Sequence, residues 1–318
     1  MAESAGEHAE DFSDLELPSM TPGSLARKFG PGIMLMMTGI GTSHLVTAPV
    51  AGGRFEYALL WCLPIAYIFK YYGFEMAIRF THATGRSMLD AYATAWKKAP
   101  VWYVLITTII QSAVGQAGRL IAAAAVVFYF FRLYLGIDIP GFDDDKELAV
   151  YGLILGVTSV AIILRGRYAV VELATKIAAG ILIVCTLAVF IYEPAPVSSF
   201  VDCFTLDTPE GSWLIIASFL GLLPTGIDVS LQASEWGKAK KVGMGRIRSE
   251  LEAQGIARKF DPFDADKSDL TVDTSRLPEH AREYCRRWFK IGLLDFRLGH
   301  VISFILATMF LVLAAVWL

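Results

Sequence analysis

The sequence predicts an all-α protein that crosses a membrane several times. Of its 318 residues, 55% are hydrophobic and only 19% are charged, whereas a soluble domain carries about 25% charged residues. No Lys or Arg occurs between Ile177 and Gly237. Long apolar runs predict membrane helices, because about 20 residues cross a hydrocarbon core of about 30 Å. Two of these runs are interrupted by Gly, Pro and polar residues, which indicates broken helices.

The chain contains seven apolar segments of about this length, and together they predict one membrane domain. They cover residues 30–53, 57–78, 101–131, 148–164, 168–192, 212–234 and 299–318. We therefore divide the chain into four parts. These are a short disordered cytoplasmic tail (1–28), spans one to six (29–236), a polar cytoplasmic loop (237–297) and span seven (298–318).

The distribution of basic residues predicts the orientation of the spans. Lys and Arg are frequent before span one, in the 79–100 loop, at 165–167 and in the 237–298 segment, and they are scarce in the alternate loops. Cytoplasmic loops carry such an excess, so the N-terminus is predicted to lie in the cytoplasm. The acidic segment before Thr21 lacks the basic and apolar regions of a signal peptide. The prediction is an integral protein of the plasma (inner) membrane.

Span one is interrupted near its middle, where residues 38–49 read TGIGTSHLVTAP. Two glycines, several hydroxyl residues, a histidine and a proline disfavour a continuous membrane helix. They favour a helix that opens at the midplane and offers backbone carbonyls and polar side chains to a solute.

Span six carries a second interruption, at Gly221, Pro224, Thr225, Gly226 and Asp228. Either interruption alone could be a proline kink. Span six follows five spans, and because five is an odd number, a repeat that starts there is inverted relative to the first. Broken helices at corresponding positions of inverted repeats indicate a binding site at the midplane of a transporter.

Several motifs resemble the Nramp family of divalent-metal transporters. They are FGPGIMLMMTGIGT in span one, AGGRFEYALLW before span two, the proline-broken span six with its basic loop, and DFRLGHVISFILATMFLVLAAVWL in span seven. The resemblance begins at about Lys28. It implies a leucine-transporter-like inverted-repeat fold that moves divalent cations (Mn, Fe or Mg) by alternating access, with the metal as transported substrate and no cofactor. Family members have more than seven spans, so we expect the chain to be a fragment.

The residues at the breaks differ from those of the family. Gly41, Thr42, Ser43 and His44 stand where the family has Asp-Pro-Gly-Asn, and Leu223, Pro224 and Thr225 stand where it has Met-Pro-His. The acidic residues of span three are replaced by Gln111, Ser112 and Gln116. The sequence-based hypothesis places the solute among seven residues, namely Gly41, Thr42, Ser43, His44, Pro224, Thr225 and Asp228.

The roles of several of these residues remain open at the sequence level. His44 either contacts the solute or caps backbone exposed at the break. Arg119 either provides a fixed counter-charge to Asp228 or Glu172, which would make a coupled proton unnecessary, or extends towards an interface. Glu172 either takes part in that charge balance or pairs with Lys176, four residues away.

Two alternatives to metal transport follow. One is a transporter of the same fold for a small organic or anionic solute, and the other is a non-transporting membrane protein. An enzyme is not predicted, because the sequence shows no nucleophile–base pair or phosphate loop. The basic residues of the 237–297 loop are explained by orientation and contact with membrane lipids, so no nucleic-acid partner is predicted.

Overall fold

The computed structural model describes residues 12–41, 43–165, 168–261, 264 and 270–317. Every regular element in these residues is helical, and the one β-type contact is an isolated bridge between Ala257 and Val272. The predicted all-α class is therefore confirmed for the described part of the chain.

Six helices form the first half of the chain. They are α1 Pro22–Lys28, α2 Pro31–Gly39, α3 Ala48–Phe55, α4 Cys62–Thr84, α5 Met88–Thr94 and α6 Ala99–Tyr129. A proline in the first turn begins α1, α2, α3 and α6, where its missing N–H costs no hydrogen bond. The α4 helix is followed by Gly85, whose left-handed backbone conformation suits a residue without Cβ.

Six further helices complete the chain. They are α7 Asp144–Arg165, α8 Tyr168–Tyr192, α9 Trp213–Leu222, α10 Val229–Ala239, α11 Met244–Ala253 and α12 Glu279–Trp317. The end of the predicted polar loop, from Glu279, and predicted span seven belong to the single long helix α12.

Four helical segments are long and apolar enough to cross a membrane by length and composition: 96–134, α7, 169–192 and α12. A fifth candidate is the pair formed by α2 and residues 43–55, which is bent by 41°. The helices at the predicted spans two and six are less apolar or shorter, since α4 contains Lys70, Glu75 and Arg79 and α9 has ten residues. The count of seven spans and the inverted repeat remain predictions.

Both predicted helix interruptions are present. The first lies between the end of α2 at Gly39 and a π-helical turn over Ser43–Thr47 that leads into α3. The second lies between the end of α9 at Leu222 and the start of α10 at Val229. The residues in each interruption leave the regular i to i−4 hydrogen-bond pattern, so their backbone groups need other partners.

The helices α2, α3, α4, α10 and α12 pack against one another, and α6 packs mainly against α7. Fully buried apolar side chains lie between helices of the first group, including Leu63 of α4 and Leu311 of α12. Many apolar side chains of α6, α7 and α8 are exposed instead, for example Ile109, Leu153 and Val184. Such outward-facing apolar side chains are expected where helices contact lipid tails.

The predicted polar loop and part of the predicted tail form a packed unit beside the membrane helices. Its buried residues come from residues 12–15, from α11, from the connection between α11 and α12, and from the first turns of α12. They are Phe12, Leu15, Met244, Ile247, Leu251, Ala257, Leu277, Ala281, Tyr284 and Cys285. Arg248 of α11 is buried and donates hydrogen bonds to the carbonyl oxygens of Thr84, Leu270 and Arg258. We refer to this unit, the described parts of residues 12–17 and 244–288, as the polar cap.

Candidate functional site

A cavity of about 460 Å³ lies where the two helix interruptions meet α6. The last turn of α2 contributes Thr38, the first interruption contributes Gly41, and the second contributes Asp228, next to Gln232 of α10. The polar residues of α6 that line it are Thr108, Gln111, Ser112, Gln116 and Arg119. These α6 residues recur at near-helical spacing, so they share the face of α6 that is turned to the cavity.

Among the described residues, Asp228 and Arg119 are the ionisable ones that line this cavity. Their charges are opposite, so this lining has no net formal charge. Arg119 Nη1 donates to Gln116 Oε1 at 3.3 Å, which holds the guanidinium along α6. The structure therefore brings Arg119 and Asp228 to one cavity, as the counter-charge hypothesis requires.

The two interruptions touch through their backbones. A Cβ atom at Gly39 would lie 2.6 Å from the carbonyl oxygen of Pro224, so only glycine permits this approach. The Gly41 N–H donates to the Gly39 carbonyl at 2.8 Å, and the Gly41 carbonyl accepts from the N–H groups of His44 and Leu45. Several backbone groups at the first interruption are thus satisfied within the chain.

His44 is completely buried and lies in a polar cluster between the first interruption, α4 and α12. Its Nε2 lies 2.9 Å from the Tyr67 hydroxyl and 3.1 Å from Ser303 Oγ. Its Nδ1 lies 3.1 Å from Ser43 Oγ, which also contacts the Gly39 carbonyl. Ser43 and His44 are absent from the cavity lining, so the structure favours the internal hydrogen-bonding role for His44.

Pro224 and Thr225 border a much smaller void of about 10 Å³ beside Ser303 and His300. Thr225 is buried, and neither residue lines the large cavity. Of the seven predicted solute residues, the structure brings Gly41 and Asp228 to the cavity and places Ser43, His44, Pro224 and Thr225 elsewhere. Thr42 lies outside the described residues.

Comparison with known proteins identifies the family. The model of the Nramp family (Natural resistance-associated macrophage protein-like) matches residues 32–318, nearly the whole chain. The chain belongs to the Nramp family. Membership confirms the resemblance found in the sequence and, together with the long apolar helices, indicates an integral membrane protein.

One relative is the uncharacterized protein PM0681 of Pasteurella multocida strain Pm70. The two chains are 22% identical over 218 residues, which cover 67% of this chain and 47% of the relative. The chain therefore matches about half the length of that protein. Because that relative is uncharacterized and only 22% identical, we infer the substrate of this Nramp protein from its own cavity.

Lys70 is a functional candidate that sequence reasoning assigned only to the membrane interface, near the inner end of span two. Its ammonium donates to the carbonyl oxygens of Gly221 at 2.7 Å and Thr225 at 3.2 Å, both at the second interruption. The sequence pattern that points to Lys70 is a single Lys inside an apolar stretch. A charged side chain inside a membrane requires a polar partner. The sequence could not show which partner it has.

Glu172 belongs to a charged cluster away from the cavity lining. Its carboxylate accepts from Lys176 at 2.7 Å and lies 3.4 Å from Lys240 Nζ. Lys240 also donates to the Lys28 carbonyl just before α2. Burial lowers the pKa of the Lys240 ammonium, and the nearby Glu172 and Asp295 carboxylates partly oppose that effect. Glu172 therefore balances lysines, and the structure shows no contact between it and Arg119.

Asp295 of α12 fixes the start of α2 in the same region. Its carboxylate accepts hydrogen bonds from the N–H groups of Gly30 at 2.9 Å and Gly32 at 2.8 Å. An anion at the N-terminus of a helix satisfies unpaired donors and interacts favourably with the helix dipole. We call Glu172, Lys176, Lys240 and Asp295 the inner charge cluster, because the predicted orientation places it at the cytoplasmic end.

The donor set of the cavity differs from that of a closed metal site. Within the described parts of the chain, no group of three or more His, Cys, Asp or Glu side chains could hold a metal ion. The cavity offers one carboxylate, amide oxygens and hydroxyls. Oxygen donors suit hard cations such as Mg or Mn, which retain bound water readily.

Proposed function

We propose that this Nramp protein moves a hydrated divalent cation (Mn, Fe or Mg) across the membrane by alternating access, through the cavity at the two helix interruptions. The observation that carries the proposal is that Asp228 lines this cavity together with the oxygen donors Thr38, Gln111, Gln116 and Gln232. A single carboxylate cannot offset complete dehydration of a divalent cation, so the ion keeps most of its water.

The size of the cavity supports a hydrated cargo. Six waters at about 30 Å³ each occupy roughly 180 Å³, well within the cavity volume of about 460 Å³. Amide and hydroxyl groups around the cavity then contact the bound waters and leave most of the metal–water bonds intact.

Arg119 determines how strongly this site can hold a cation. Without cargo, its guanidinium balances Asp228 within the cavity lining. An entering cation competes with Arg119 for the carboxylate and is repelled by the fixed positive charge. We therefore expect weak binding of the cation, with the fixed charge replacing a coupled proton.

The same arginine favours a second candidate cargo, a small organic or anionic solute. A guanidinium with neighbouring amide donors is suited to recognise a carboxylate, and Asp228 could accept from an ammonium group of the same molecule. Such a solute would bind in the same cavity, but Arg119 would attract it, whereas for a divalent cation Asp228 is the attracting residue.

Uptake into proteoliposomes tests the first candidate. We expect the wild-type protein to take up at least one of Mn²⁺, Fe²⁺ and Mg²⁺, and we expect Asp228→Asn to reduce that uptake at least about tenfold, because the site loses its anion. Glu210→Gln removes an exposed carboxylate from a loop and serves as the matched control. Absence of both uptake and binding of every divalent cation would sink the proposal.

Arg119→Gln separates the two candidates. For a divalent cation, removal of the repelling charge lowers the KM. For an anionic or zwitterionic solute, the variant loses the thermal stabilisation that amino acids or carboxylates confer on the wild type. A wild-type protein that neither transports nor binds either class would instead support the non-transporting alternative.

A further inference from the structure

Lys70 lies within α4 and reaches the interruption of span six, outside the lining of the cavity. The packing that brings it there is visible one turn later, where a Cβ at Gly73 would come 2.5 Å from Ile227 Cδ1. Because Gly73 has no side chain, α4 approaches the unwound residues closely enough for the lysine to contact their carbonyl oxygens.

The carbonyl oxygens that Lys70 contacts are typical of a cation site. The α9 helix ends at Leu222, so the carbonyl groups of its last turn lack helical partners and carry the negative end of the helix dipole. Gly221 supplies one of these groups, and the unwound Thr225 supplies another. Asp228 adds electrostatic attraction to the ammonium.

The Lys70 ammonium requires hydrogen-bond acceptors, and the carbonyl groups of the interruption require donors. An ammonium within a membrane span is costly unless polar groups surround it, and unpaired carbonyls at that depth are costly as well. The Lys70 side chain satisfies both requirements. Its ammonium lies at the position that a free cation bound to these carbonyls would occupy.

We propose that the interruption of span six is a monovalent-cation site that Lys70 fills as a tethered cation. The structural role of the ammonium is to hold the ends of α9 and α10 in their present arrangement, and removing it leaves a site that a small free cation can enter. Lys70 lies outside the cavity of the proposed function, although Asp228 of that cavity acts on its ammonium, and the test by thermal unfolding does not depend on transport.

The experiment is chemical rescue of Lys70→Ala, followed by thermal unfolding of the purified protein in detergent. We expect the unfolding midpoint to fall by roughly 3–6 °C. At about 100 mM, methylammonium, ethylammonium, Na⁺ or K⁺ should restore at least half of the loss, whereas choline, which is too large and has no N–H donor, should not. The wild type should respond equally to all of these salts, because its site is filled.

Two variants serve as controls. Lys146→Ala removes an exposed ammonium that pairs with Asp143 and should show no difference between small cations and choline. Lys70→Arg keeps a tethered cation and should need no rescue.

A stable Lys70→Ala protein without any cation effect, or a destabilised one that no small cation restores, would overturn the proposal. If Lys70→Ala is recovered only when it is purified in methylammonium, that result supports the proposal. If it is recovered under none of these conditions, Lys70→Met, which keeps the aliphatic chain, takes its place. Failure to rescue that variant also counts against a cation site.

Discussion

At the scale of single residues, His44 shows how a polar side chain at a helix interruption can belong to the scaffold. Its two ring nitrogens face Ser43, Tyr67 and Ser303, and its side chain is completely buried. These hydrogen bonds connect the interruption of span one to α4 and α12. The histidine therefore helps to position the cavity without lining it.

We predict that His44→Ala lowers the free energy of unfolding by about 2–4 kcal/mol, because it creates a void and leaves buried hydroxyl groups without a partner. The KM for Mn²⁺ should stay within about twofold of the wild-type value. Thermal unfolding and Mn²⁺ uptake measure the two quantities. An increased KM with unchanged stability would instead make His44 a ligand of the solute.

The side-chain directions at this site could not be predicted from the sequence, whereas the interruption itself could. Gly39, Gly41 and Pro49 weaken the helix locally, and that effect depends only on the residues present. Whether His44 points towards α6 or α12 depends on the π-helical turn over Ser43–Thr47, which shifts each side chain relative to a regular helix.

At the scale of the elements, the inner charge cluster joins helices that are far apart in sequence. Glu172 of α8 contacts Lys240 beyond α10, Lys240 contacts the chain before α2, and Asp295 of α12 holds the start of α2. The cluster therefore connects one end of spans one, five, six and seven. Alternating access would require some of these contacts to break.

We predict that Glu172→Gln weakens this connection, because it removes the carboxylate that Lys176 and Lys240 share. In a cysteine-free background, Gln232→Cys places a thiol in the cavity lining. Labelling of that thiol by an impermeant maleimide from the cytoplasmic side should become about tenfold faster in Glu172→Gln.

Glu210→Gln is again the matched control and should leave the labelling rate unchanged. An unchanged rate in a correctly folded Glu172→Gln protein would show that the cluster is a static structural feature.

Some of the contacts between charged side chains in these helices could be predicted from the sequence. The pairing of Glu172 with Lys176 follows from their i, i+4 spacing and is observed. The contact between Glu172 and Lys240 joins residues 68 positions apart, and no local pattern specifies it. Likewise, the sequence placed Lys70 only near the interface, because its carbonyl partners depend on how α4 packs against the interruption of span six.

At the scale of the whole molecule, the membrane helices are connected to the polar cap. Phe12 and Leu15 of the N-terminal segment are buried against α11 and α12, and the Leu15 carbonyl accepts a hydrogen bond from His280 Nε2 at 2.8 Å. The segment before span one therefore contacts the segment after span six.

We predict that Leu15→Ala loosens the cap, because truncation of a buried leucine costs about 2 kcal/mol or more. Limited proteolysis within residues 237–297 should become at least about tenfold faster. Met20→Ala, at a position that is 41% exposed, is the control and should not change the cleavage rate. Equal cleavage of the Leu15 variant and the wild type would show that the N-terminal segment does not stabilise the cap.

The continuity of α12 has a mechanical consequence. The helix runs without a break from Glu279 to Trp317, belonging to the cap at one end and packing against α3 at the other. At about 1.5 Å per residue it forms a rod roughly 60 Å long. A tilt of a few degrees at the cap would displace the opposite end by several ångströms, beside the outer half of span one. A displacement of the cap is thus transmitted to α3 through one continuous helix.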